Sequence, residues 1–401
     1  MKMVLPWIKK LLKENMHKRI INNYFKKNHS KQALLSYILT PFQHNFFSHI
    51  LPNSKIKNYP FAHTNFFEAF SWAKILDELG FNVDIIDFRN SRKIDITKYD
   101  LICGFGEVFQ QVFESVHHKK IWTITYATGM NTCYSNAVSL LRVKDVYNKK
   151  GVWLGKSSRY VEKGWTHSVT LVDGIIALGN EVCADTYKRY YDGPVYSLPA
   201  PFYEVLNGYD IINRREVTSK KHYLWFGSSG LIHKGLDLCL DYFSKNQDLF
   251  LHVCGPIENE RDFVEVYKRE LFSSPNIILH GFVDITSKKF EEILSLCSFV
   301  IFPSCSEGGS PSVITAVGNG GLIPIITKET TIRTGFEIWI EGFNYESIEK
   351  AVRQSQSLTF EEIRSLQLSN LNYVKNNHNQ EVYYKRLKEY IQRILRVGDE
   401  Y

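Results

Sequence analysis

The sequence has no run of about eighteen uncharged apolar residues, so it offers no helix suited to spanning a membrane. It has no Cys-x-x-Cys pair and no cluster of cysteine with histidine. Its seven cysteines therefore read as reduced, mostly buried side chains of a cytoplasmic protein. There is no P-loop, and the Gly-x-Gly at Gly104 has Phe109 where a dinucleotide fingerprint needs its third glycine. No Asp-x-Asp pair is present to hold a metal on a diphosphate, and no Ser, Cys or His sits in a nucleophile-elbow context. These absences turn away from kinase, oxidoreductase and hydrolase chemistry. They predict a protein with no bound cofactor and no metal requirement.

What is present is unevenly distributed. Residues 1–31 hold nine Lys and Arg against one acid, Glu14, a balance of +8 in a chain whose net charge is +7. Everything after residue 31 is thus close to neutral, which argues against a nucleic-acid partner. The same segment places Val4, Leu5, Ile8, Leu11, Leu12 and Met16 at helical spacing behind Trp7, and is too charged through its middle for a signal peptide. A basic amphipathic helix over residues 1–31 suits an anionic membrane surface and would hold the protein peripherally at the inner face of the membrane. A helix packed on the body with a solvated basic face is the other reading.

The 401 residues, 44% hydrophobic, are enough for two domains. From Ala33 short β-like runs alternate with helical stretches. "ALLSYIL" (33–39), "NVDIIDF", "YDLICGFG", "KIWTITYA", "DGIIALG" (173–179) and "PVYSLPA" (194–200) read as strands. "TNFFEAFSWAKILDELG" (64–80) reads as a helix, with Asn65 and Glu68 as a capping box. Residues 128–168 show no readable period, and the polar stretch 203–221 reads as a linker. After it the alternation restarts with "HYLWFGS", "LFLHVCG", "NIILHGFV", "FVIFPS" and "LIPIIT" separated by helical runs. Such repetition predicts an α/β protein of two doubly wound, Rossmann-like domains facing a cleft. The boundaries are 32–205 and 206–380, with a C-terminal helix at 381–401.

Two strand-to-helix turns of the second half carry chemistry. In "FGSSGLIHKGLD" a strand ends in Gly227-Ser228-Ser229-Gly230, and Lys234-Gly235 opens the next helix. Glycine lets backbone approach a ligand, and lysine supplies a point charge for phosphate. A solvated lysine beside an ordinary turn is the alternative. In "SEGGSPSVITAVGNGG" (306–321) the strand ends and a helix begins near Pro311, a favourable first position. The amides from Gly308 to Ser312 then face outward at the positive end of the helix dipole. Glu307, beside that end, is suited to accept hydrogen bonds from sugar hydroxyls or merely to cap the helix.

"FGSSGLIHKG" (226–235), "HGFV" (280–283) and "FVIFPSCSEGGSPSVITAVGNGG" (299–321) resemble, in order and spacing, the donor domain of GT-B glycosyltransferases, in particular glycosyltransferase family 4. The resemblance implies a transferase that moves a sugar from a nucleotide-sugar donor to a hydroxyl of a glycan or lipid-linked glycan in surface polysaccharide synthesis. It also implies retention at the anomeric carbon. Lys234 and Glu307 would be the catalytic residues. Gly308, Gly309 and Ser310 would bind sugar and phosphate, and Phe282 and Val283 would border the base. Gly227, Ser228, Ser229, Gly255, Pro311, Ser312 and Thr315 would complete the donor site. Two positions depart from the family pattern, Ser228 where arginine is usual and Thr315 where a second glutamate is usual. On the acceptor side the candidates are His63, Thr64, Glu107, Thr128 and Arg159. Helix capping accounts equally for His63 and Thr64, a solvated loop for Glu107, and surface ion pairs for Arg142 and Arg159. A non-catalytic partner subunit and a GT-B nucleotide-sugar epimerase are the rival functions.

Overall fold

The structure is a computed structural model, and residues 19–42 and 64–397 are described below. Two parallel sheets organise the chain. The N-terminal sheet has seven strands: β1 (Ile20–Ile21), β2 (Lys31–Tyr37), β3 (Phe81–Asp87), β4 (Leu101–Gly104), β5 (Trp122–Ala127), β6 (Gly174–Leu178) and β7 (Val195–Leu198). Their order is β1-β3-β2-β4-β5-β6-β7, with only β1 antiparallel. The C-terminal sheet has β8 (His222–Phe226), β9 (Phe250–Cys254), β10 (Ile277–Gly281), β11 (Phe299–Phe302), β12 (Ile323–Ile326) and β13 (Ile338–Trp339). These run in the order β10-β9-β8-β11-β12-β13, all parallel.

Continuously apolar strands such as "FVIF" and "IPII" bury both faces, as parallel sheets covered by helices require. The crossover from β2 to β4 through β3 is the switch in strand order that opens a crevice at the strand carboxyl ends. The carboxyl ends of β8, β9, β10 and β11 face those of β2, β4, β5 and β6 across one cleft. The last helix, Gln380–Val397, lies on the N-terminal sheet, with Tyr383, Leu387, Ile391 and Ile394 in that sheet's core. Among the described residues no helix is long and apolar enough to cross a membrane.

Four local expectations change. The basic segment is not helical at its end, because Ile20–Ile21 pairs with Ile85–Ile86 as an edge strand. Residues 1–18 of the expected helix lie outside the described residues. The stretch 203–221 is not a free linker. It contains the helix Gly208–Arg214, and Asn319 pins the chain ahead of it, accepting the amides of Val205 and Leu206 at 2.7 and 2.9 Å. The capping box at Asn65 does not form, since Thr64 is the N-cap and Glu68 turns inward.

The fourth change is the largest. The unassigned region holds a 19-residue helix, Thr132–Lys150, started by Asn131 and stopped by Gly151 in the left-handed conformation. Its inner stripe, Ser139, Arg142, Val143 and Val146, packs on the C-terminal domain, and Val143, Val146 and Leu154 join that domain's core. Arg142 is 2% exposed and pairs with Asp237 at 2.5 Å, so it is neither a surface ion pair nor an acceptor contact. Lys150 reaches Glu270 at 2.7 Å and Ser157 donates to Asp262 at 2.7 Å. This stretch is an arm, chain of the N-terminal half clasping the C-terminal domain.

Candidate functional site

The turn after β8 and the turn after β11 meet at one buried ion pair. Lys234 is 5% exposed and Glu307 9%, and the ammonium bonds directly to Glu307 Oε1. Ser304 Oγ donates to the same oxygen at 3.0 Å. Gly235 takes φ +69°, and a Cβ there would come within 2.3 Å of the Pro303 carbonyl oxygen, so glycine is what lets the two turns touch. Burial by itself would raise the Glu307 carboxyl. Lys234, Arg159 and His233 overcome it and pull the carboxyl down to about 2. Glu307 is thus an anion across the physiological range, able to accept hydrogen bonds and unsuited to donate a proton. His233, pushed down to about 4 chiefly by burial, is neutral and hydrogen-bonds Ser139 Oγ of the arm at 2.9 Å.

The pair faces a cavity of about 390 Å³ between the domains. Gly227, Ser228, Lys234, Gly255, Phe282 and Val283 line it from the ends of β8, β9 and β10. Glu307, Gly308, Ser310, Pro311, Ser312 and Thr315 line it from the turn and helix after β11. Thr64, Thr128 and Arg159 close the opposite side. Ser229 and Gly309 are not on this wall. Gly309 gives its amide to Thr331 Oγ1 at 2.7 Å, and Pro311 has no amide to give, so the helix start offers fewer donors than its sequence promises. A Cβ on Gly308 would lie 2.2 Å from the Thr128 carbonyl oxygen, and one on Gly309 2.5 Å from Ala200 Cβ. Both glycines are therefore required where one domain presses on the other.

No protein-family model and no curated protein matches the sequence. Solved structures do match its shape. Alr3699/HepE from Anabaena, in complex with UDP and glucose, superposes with a TM-score of 0.53 at 10% identity, over 80% of this chain and 88% of that one. A glycosyltransferase from Rickettsia africae superposes with a TM-score of 0.51 at 13% identity, over 92% of this chain and 99% of that one. The chain has the GT-B fold.

In this GT-B cleft a second cavity, of about 490 Å³, adjoins the first and shares Phe88, Phe105, Thr128, Arg159, Glu307 and Gly308 with it. Glu107 lines this second space, as do Arg89 and Lys163. Phe105 and Trp165 stack at 5.7 Å on its wall and give it an apolar patch. Arg89 is held by Asp87 at 2.7 Å. His63 lies outside the described residues.

Sequence reasoning missed Glu68. It is 1% exposed and lines the first cavity of the GT-B cleft. Its carboxyl accepts from Tyr37 at 2.9 Å, Tyr126 at 2.8 Å and Thr64 Oγ1 at 2.8 Å. Tyr383 of the last helix in turn donates to Tyr126 at 3.0 Å. Burial first, and then Glu68, hold both the Tyr37 and Tyr126 phenols well above their ordinary value, so they stay protonated and keep donating. The i, i+4 spacing of Thr64 and Glu68 was the only local signal. Among the described residues no group of three or more His, Cys, Asp or Glu gathers as a metal site would.

Proposed function

We propose that the protein is a glycosyltransferase, similar to family 4, that moves a sugar from a uridine-diphosphate sugar to a hydroxyl of a glycan or lipid-linked glycan. The observation that carries the reading is the buried Lys234–Glu307 pair, set at the carboxyl ends of β8 and β11 where the two domains face each other. The UDP and glucose bound by the Anabaena relative make a uridine donor the first to test.

In this reading the base lies near Phe282 and Val283, and the sugar sits over Glu307, whose anion accepts its hydroxyls. Charge grows on the leaving diphosphate as the sugar–oxygen bond breaks, and preorganised positive groups lower the barrier where that charge appears. Lys234 and the remaining helix-start amides would serve that role in this reading, which calls for no metal. The acceptor occupies the second cavity, against Phe105 and Trp165, and exclusion of water between the domains protects the donor from hydrolysis. Retention at the anomeric carbon follows the resemblance. Residues 1–31 would hold the enzyme at the inner face of the membrane beside a lipid-linked acceptor. Equal liposome binding with and without them would rule that out.

Calorimetric titration of a nucleotide-sugar panel in EDTA tests the core of the reading. One donor should bind, and Glu307→Ala should weaken the nucleotide sugar more than the free nucleoside diphosphate. Binding of no donor would instead favour a non-catalytic partner subunit, the reading to which uncharged Ser228 and Thr315 lend support. Donor conversion without any acceptor would favour an epimerase.

A further inference from the structure

We infer that Arg159, carried by the arm of the N-terminal half, grips the donor diphosphate beside Lys234, as the cation there that no carboxylate neutralises. The inference rests on the nucleotide-sugar reading above and names a contact within that site.

Charge accounting leads to it. Four charged side chains line the donor cavity: Glu68, Arg159, Lys234 and Glu307. Lys234 and Glu307 neutralise each other in a buried pair, and Glu68 is an acid. Among the described residues Arg159 is the one cation on this wall without an ion pair, although its field helps to depress Glu307. The backbone and the neighbouring side chains supply dipoles but no further positive charge. Gly309's amide is taken by Thr331, Pro311 has none, and Ser228 offers a hydroxyl without charge. A nucleoside diphosphate brings several negative charges into a cavity whose other lining side chains carry no net positive charge.

Geometry places the guanidinium group's stem at the phosphate turn. A Cβ built on Gly230, two residues after Ser228, would meet Arg159 Cδ at 3.0 Å. The arm holds this position firmly. Ser139 donates to the Arg159 carbonyl at 3.2 Å, and Asn136 exchanges two hydrogen bonds of 2.9 Å with the backbone of Val161. The arm helix itself is fixed to the C-terminal domain through Arg142 and Asp237. Arg159 thus belongs to the N-terminal half in sequence but sits on an arm anchored to the C-terminal domain, and its planar fork suits two phosphate oxygens at once.

The test is calorimetric binding of UDP and of uridine to the full-length protein and to its Arg159→Ala and Arg159→Lys variants. Arg159 is exposed and unpaired, so both variants should fold as the wild type does. Arg159→Ala should bind UDP roughly tenfold more weakly while uridine binding stays unchanged, the size expected for one charge-assisted contact near solvent. Arg159→Lys should fall between, because the charge remains and the fork is lost. Unchanged UDP affinity in Arg159→Ala would overturn the inference, and a raised acceptor KM in the same variant would assign the residue to the acceptor. Equal weakening of UDP and uridine would also overturn it, by showing a merely structural role. If the wild type binds neither UDP nor any nucleotide sugar, the glycosyltransferase reading itself falls. If the wild type binds UDP and Arg159→Ala binds it equally, only this inference does.

Discussion

On the C-terminal wall of the cleft, Lys234 and Glu307 are 5% and 9% exposed and answer each other's charge. On the N-terminal wall, Glu68 is 1% exposed and is held by three neutral hydroxyls, while Arg159 stands in the open. The first wall is two turns of one domain closed by a single strong contact. The second is assembled from two strands and a helix start that are far apart in the chain, each giving Glu68 one modest bond, with the arm's Arg159 beside them. A wall built on one buried ion pair should fail steeply when either partner is removed. A wall built on neutral hydroxyls should fail in small steps and keep its shape.

The steepest break is Lys234→Ala. It leaves the Glu307 carboxylate buried without its cation, which typically costs about 3–5 kcal/mol, and denaturant unfolding at pH 7 should read that loss. Lys234→Met combined with Glu307→Gln should recover most of the stability, since no charge is left uncompensated, yet donor binding should stay lost. A double variant as unstable as Lys234→Ala would mean that shape, not charge, holds the two turns together. The pH dependence has a definite sign. Glu307 titrates near 2 in the folded chain against an ordinary 4.5, so its contribution is complete above about pH 4.5 and drains away as pH falls toward 2. Glu307→Gln should flatten that acid limb.

Gly308→Ala tests the contact between the walls. Its new methyl group would sit 2.2 Å from the Thr128 carbonyl oxygen, so the domains must separate locally or the turn must shift. Overpacking of this kind costs about 1–3 kcal/mol. The same shift moves Glu307 away from the N-terminal wall, so acceptor KM should rise more than donor Kd. A change in donor Kd alone would mean that Gly308 serves the ligand and not the domain contact.

These contrasts also explain what the sequence reveals. The alternation that gives two doubly wound domains is legible because each buried strand is a short apolar run closed by a local turn. The two turns of the C-terminal wall are legible because Lys234-Gly235 and Glu307-Gly308 each lie within a few residues of a strand end. The arm helix is not, because Thr132–Lys150 is apolar on two faces. Val143 and Val146 point inward, Leu140 and Leu141 are exposed, and a buried Arg142 interrupts the stripe. Glu68 hides for a different reason, since its phenol partners stand 31 and 58 positions away. Gly308 and Gly309 stand out in the sequence, but their second constraint does not, because only the assembled fold brings Thr128 and Ala200 against them.

The mildest prediction concerns that distributed wall. Tyr383→Phe removes one hydroxyl, the donor to Tyr126 at 3.0 Å, from the helix that crosses back from the C-terminus. Tyr126 can still donate to Glu68, so no charge is stranded and the ring keeps its place in the core. One net hydrogen bond is worth about 1 kcal/mol, and thermal unfolding should show a loss of that size with donor affinity intact. A loss approaching that of Lys234→Ala would mean the hydroxyl network is as indivisible as the ion pair across from it. The walls would then differ in composition but not in the way they hold.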